Sequence, residues 1–133
     1  MQQEDFILKM IERFSLFIKK LLKISIDSES EAFEQQSNDL LQEFFDTDID
    51  NPDSIPLKKL NSLIQRESLQ KPIIILFLKI AILKSENEFA TGKKYYKIVN
   101  QELLPHLKSV NAFENEEDIT VKNLLSQCRE LYR

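Results

Sequence analysis

The chain has 133 residues, 42% of them hydrophobic and 30% charged, which is the composition of a globular protein long enough to bury a core without disulfide or metal staples. A single glycine, Gly92, and no tryptophan exclude the glycine-rich loops that cradle phosphates in P-loop and dinucleotide-binding proteins. The net charge of −4 conceals a segregation: residues 1–24 carry +2, residues 25–56 carry ten acidic and no basic side chains, residues 57–112 carry +6, and residues 113–133 carry −2.

The first element predicted is a helix over residues 5–24, DFILKMIERFSLFIKKLLKI. At 100° per residue Phe6, Ile7, Met10, Ile11, Phe14, Phe17, Ile18, Leu21 and Leu22 fall in one arc of roughly 200°, with the lysines opposite. So wide an arc calls for two or more neighbours, or for a homodimer across this helix. Ser28-Glu29-Ser30-Glu31 has capping-box spacing and predicts a second helix with Phe33, Leu40, Leu41, Phe44 and Phe45 inward. Residues 46–55 read as loop. Pro56 opens a short helix with Leu57, Leu60, Leu63 and Ile64 inward. Pro72 is expected to open the next helix in the same way, and KPIIILFLKIAILK, apolar on all sides apart from Lys79, is expected to be central.

A connection at Ser85-Glu86-Asn87 leads to a helix over 88–104, with Phe89, one of Tyr95 and Tyr96, Ile98, Val99, Leu103 and Leu104 toward the core and Pro105 ending it. After a loop over 111–115, Val121, Leu124, Leu125, Cys128 and Leu131 mark the last buried face. The expectation is one all-α domain over residues 1–133, about six helices in a compact bundle or helical-hairpin array. A sole cysteine, Cys128, precludes an intramolecular disulfide, the acidic start MQQED is unlike a signal peptide, and the longest charge-free run, residues 72–78, is too short to span a bilayer. A cytoplasmic location is expected.

Two resemblances add to this. Glu4-Asp5-Phe6-Ile7-Leu8-Lys9-Met10-Ile11-Glu12 resembles the start of a family of small all-helical proteins of unknown function from Gram-positive bacteria, and SIPLKKLNSLI and the apolar helix at 73–83 sit where that family would have them. The family implies a helical fold and no activity. Residues 72–105 are similar to a degenerate tetratricopeptide-type hairpin, with Ala81, Gly92, Tyr96 and Pro105 in the small, aromatic and proline positions. The spacing departs by about one residue and the usual tryptophan is missing. That resemblance implies protein binding on a helical face.

The acidic loop FDTDIDNPDS places Asp46, Asp48 and Asp50 where a helix–loop–helix calcium site has its first ligands. Pro52, Asp53 and Leu57 then stand at positions 7, 8 and 12, so the bidentate glutamate is missing and a solvated turn is expected instead. Lys93, Lys94, Tyr95, Tyr96 and Lys97 alternate cations with aromatics and form the candidate partner-contact patch; with an acidic total, a protein partner is expected over nucleic acid. His106 is the only histidine and has no partner at metal or nucleophile spacing, and Cys128 falls on an apolar helix face. No cofactor, metal set or catalytic constellation is legible. The expected function is a non-enzymatic helical interaction module, a small adaptor or regulator. The alternatives are a small-molecule or metal enzyme site in the helical core and weak membrane-surface association through residues 5–24.

Overall fold

The computed structural model describes residues 2–107 and 115–133, with side chains from residue 6 onward. Among these residues the chain forms six α-helices and no strand, as the periodicities predict: α1 Gln2–Leu21, α2 Ser30–Phe45, α3 Leu57–Ile64, α4 Glu67–Lys84, α5 Phe89–Ile98 and α6 Glu116–Leu131. Helix α4 is the hub and packs against all the other helices. Between positions 69 and 81 only Gln70, Lys71 and Lys79 escape full burial. An apolar surface on every side of a helix is stable only when neighbours cover every side, and α4 is covered.

Helix α1 joins this core through Phe14, Ile18 and Leu21, spaced four and three residues apart. Phe14 meets Phe44 and Phe45 of α2 edge-on, with ring centroids 5.1 and 6.1 Å away. Each such ring or branched side chain removed from water contributes about 2 kcal/mol. Phe6 and Ile7 depart from the expected arc. Phe6 is 73% exposed and Ile7 46%, because α1 runs on past the elements it packs against.

The helix starts differ from expectation at two places. Ser28 and Glu31 do not form a capping box; α2 begins at Ser30 with no side-chain cap. Instead the Ser25 hydroxyl accepts from the N–H groups of Asp27 and Ser28 at 3.2 and 3.3 Å. The serine one turn earlier thus takes the Ser28 N–H that a capping box would have given to Glu31, while Glu31 in the first turn complements the helix dipole. Pro72 does not open its helix either. Helix α4 begins at Glu67, and Pro72 lies inside it. The bond its missing N–H cannot make falls on the carbonyl of Ser68, in an exposed first turn that water reaches.

Helix α5 passes into a π-helical turn at Val99–Leu103 and a 3₁₀ turn at Leu104–His106. The α-ladder thus ends at Ile98, before Pro105, and the Leu104 N–H bonds the Val99 carbonyl in the wider spacing; Pro105 has no N–H with which to resume the α-ladder at Gln101. The loop expected over 111–115 lies outside the described residues except for Asn115, which caps α6. Asn115 Oδ1 accepts from the Asp118 N–H at 2.9 Å, and Asp118 Oδ2 accepts from the Asn115 N–H at 3.2 Å. Leu57, Phe89 and Leu131, expected inward, are 41%, 48% and 40% exposed. Tyr132, just beyond α6, takes the buried place instead, and its hydroxyl donates to the Ala81 carbonyl at 2.5 Å.

That bond runs beside Gly92. A Cβ at position 92 would collide with the Tyr132 hydroxyl and stand 2.8 Å from the Ala81 carbonyl oxygen. The only glycine of the chain thus serves the close approach of α4, α5 and Tyr132, not a turn.

Candidate functional site

The contact patch predicted at 93–97 is divided by the helix that carries it. Tyr95 is wholly buried and is withdrawn from that patch: its ring meets Phe77 at 5.5 Å, and its hydroxyl donates to the Ile49 carbonyl at 2.6 Å. Burial, with Asp50 and Asp48 nearby, pushes its phenol well above the ordinary value. Tyr96 is half-buried and stacks on Tyr132 at 5.7 Å. Lys93 and Lys97 are exposed, and Lys94 pairs with Asp53 at 2.6 Å. Phe89, Lys93 and Tyr96, spaced four and three apart, share a face beside Tyr132. A run of stacked, exposed aromatics of the kind that holds single-stranded nucleic acid is not formed.

A charged cluster that the sequence did not single out centres on Lys84. Its side chain is 5% exposed, and its ammonium contacts Glu34 at 2.7 Å, Asp50 at 2.9 Å and Glu88 at 3.4 Å. An ammonium has three donors, and here three carboxylates receive them. Burial alone would lower the amine's pKa; the hydrogen bonds to Glu34 and Asp50 outweigh it and hold Lys84 above the usual lysine range. Asp50 is held below its usual range, first by the bond to Lys84. The cluster ties α2, the acidic loop and α4 together.

The three alternating aspartates therefore do not converge on a cation. Asp46 is the left-handed cap of α2, with φ of 54°. Asp48 turns inward on the loop, accepting from the Asp50 N–H at 2.9 Å and from the Asn51 amide at 3.1 and 3.2 Å. Asp50 takes Lys84, whose ammonium stands where a metal would need open oxygens. The loop is strapped down by Asn38, which accepts from the Ile49 N–H at 2.9 Å, and by Tyr95. Among the described residues no group of three or more His, Cys, Asp or Glu is arranged to hold a metal ion. His106 lies half-buried in the 3₁₀ turn. Cys128 is buried, and burial pushes its thiol up to about 12.

The remaining feature is the surface along α1. Arg13, Leu16, Phe17 and Lys20 of α1 and Gln36, Glu43 and Phe44 of α2 line a groove of about 350 Å³. Arg13 pairs with Glu43 and lies 5.8 Å from the centre of the Phe44 ring, so the guanidinium forms one wall and aromatic edges the floor. Leu16 at its rim is 64% exposed. Toward the N-terminus Phe6, Ile7 and Leu8 are exposed on different sides of the helix. Phe6, Ile7 and Phe17 belong to the expected apolar arc, whereas Leu8 and Leu16 lie outside it. Among the described residues no helix is long and apolar enough to cross a membrane. No family model, no curated protein and no solved structure matches this chain.

Proposed function

We propose that this protein is a non-enzymatic helical interaction module, a small adaptor or regulator that binds another protein along α1. The observation that carries this reading is the α1–α2 groove, with Phe17 and Phe44 in its lining and Leu16 exposed at its rim. A groove with an aromatic floor and charged walls is the kind of concavity in which another molecule's apolar side chains can be buried. The helical hairpin of α4 and α5, similar to a tetratricopeptide unit, supports the same class of function, with Phe89, Lys93 and Tyr96 as a secondary contact face. We infer a bacterial cytoplasmic setting from the likeness of residues 4–12 to the Gram-positive family and from the lone buried thiol.

Hydrogen exchange on isotopically labelled protein tests the reading. Amides of residues 6–17 are expected to exchange more slowly in concentrated cell extract than in dilute pure solution. Equal exchange in both would sink it.

A further inference from the structure

We infer that the partner on α1 is an acidic, amphipathic segment of another protein. Its apolar side chains enter the α1–α2 groove while its carboxylates reach the lysines of the α1 wall. The inference rests on the interaction reading above and names the chemistry of the partner.

Positions 6, 9, 13, 16 and 20 advance by three, four, three and four residues, so Phe6, Lys9, Arg13, Leu16 and Lys20 form one ridge along α1. All five are exposed, and Phe6 at 73% and Leu16 at 64% are the most exposed large apolar side chains among the described residues. Arg13, Leu16 and Lys20 of this ridge are also the α1 wall of the groove. Ridge and groove are one surface.

Charge selects the sign of what binds there. From Phe6 to Ile24 the chain carries Lys9, Arg13, Lys19, Lys20 and Lys23 against Glu12 alone. Arg13 is taken by Glu43 of α2. Lys9, Lys20 and Lys23 are exposed and meet no carboxylate among the described residues. Exposed like charges along one ridge attract a complementary, negative partner. Beneath them Phe17 and Phe44 meet edge-on at 6.1 Å, a floor that offers a charged group nothing and buries an aliphatic or aromatic one. The partner therefore needs carboxylates beside apolar side chains, not charge alone.

Length and shape select the class. At about 1.5 Å per residue, Lys9 and Lys20 stand ~16 Å apart along the helix, beyond the span of one small anion and within that of a chain segment. A flat anionic bilayer cannot follow the groove and would meet Glu43 on its other wall. Nucleic-acid bases need open ring faces to stack on, and Phe44 is buried.

Fluorescence anisotropy of labelled synthetic peptides titrated with the full chain tests this. One peptide repeats leucine at three- and four-residue spacings with glutamate at the flanking positions; its counterparts carry glutamine or lysine in place of glutamate. The glutamate peptide should bind saturably, more weakly as salt rises, and about fivefold or more tighter than the glutamine peptide. A Lys9→Glu, Lys20→Glu double variant should lose that advantage with an unchanged circular dichroism spectrum and Tm. Amide chemical-shift changes should fall on residues 9–23 and 36–44. A glutamate peptide that binds no better than the glutamine one, or equally well to the double variant, overturns the inference. So do shift changes confined to the neighbourhood of Lys93 and Lys97. If the lysine or glutamine peptide proves the tighter ligand of the groove, only the acidic chemistry fails and the interaction reading stands. If no peptide binds and residues 6–17 exchange alike in extract and in pure solution, both fail. Wild type that self-associates through this ridge would put a second copy in the partner's place. Tighter binding to vesicles of phosphatidylcholine and phosphatidylserine, or to oligothymidylate, would put a membrane or a nucleic acid there.

Discussion

Helices α1 and α4, of 20 and 18 residues, are both rich in isoleucine, leucine and phenylalanine, and they end in opposite situations. Helix α4 is enclosed by all the other helices and leaves almost no apolar atom in water. Helix α1 is enclosed only over its second half, and its first half carries exposed Phe6, Ile7 and Leu8. The difference lies in the residues and in the neighbours: α4 is apolar on nearly every side, while α1 carries a charged face and leaves its first turns uncovered. A helix rises about 1.5 Å per residue, so whichever element is longer than the layer beneath it must overhang. Charge shows the same contrast. Lys84 of α4 is locked among three carboxylates, whereas Lys93 and Lys97 of α5 are exposed.

Substitutions should separate the enclosed region from the overhanging one. Gly92→Ala is expected to be the most damaging, by about 3 kcal/mol, because the added methyl overpacks a contact with backbone. Combining it with Tyr132→Phe should restore only part of the loss in urea unfolding, since the Ala81 carbonyl still stands 2.8 Å from the new atom. Full rescue would show that the side chain, not the backbone, limits the approach.

Lys84→Met should destabilise by about 2 kcal/mol, less than breaking a fully buried pair because the three carboxylates stay partly solvated. The pH dependence sharpens the point. Lys84 has a raised folded pKa, so its contribution is complete below the ordinary lysine value of 10.5 and fades only as pH rises through the higher folded value. Asp50 has a lowered folded pKa, so its contribution is present above the ordinary 3.8 and fades as pH falls through the lower one. Stability from this cluster should therefore be level between these limits and drop in acid. Asp50→Asn should make the acid limb of a Tm–pH curve shallower, and an unchanged limb would remove Asp50 from the account.

Tyr95→Phe should lose about 1 kcal/mol in chemical denaturation, because the Ile49 carbonyl forfeits a buried donor. On the overhang, Ile7→Glu should move stability by no more than about 0.5 kcal/mol. A loss comparable to that of Lys84→Met would mean that α1 is enclosed after all.

The acidic block at 25–56 behaves in three dimensions largely as its charge suggests. Glu34 and Asp50 meet Lys84, Asp53 meets Lys94, and Glu43 meets Arg13, all joining that block to basic stretches. What spacing could not reveal was which lysine would be central. Lys84 closes an apolar run and would pass for a solvated helix end, yet the fold lays α2 and the acidic loop over it. Phe89 and Tyr132 show the same limit in the aromatic residues. Helical period sent Phe89 inward and said nothing of Tyr132, but the close approach at Gly92 made room for the tyrosine and left the phenylalanine at the rim.

The sequence by itself determined the all-helical class, most positions of the buried faces, the central place of the apolar helix and the lack of a calcium-loop glutamate at position 57. Those follow from period, composition and ligand chemistry, which are local. The burial of Tyr95 and Tyr132, the Lys84 cluster and the uncovered half of α1 were decided only by the tertiary structure. Each depends on what another part of the chain places alongside, and a one-dimensional pattern records the faces of a helix but not the reach of its neighbours.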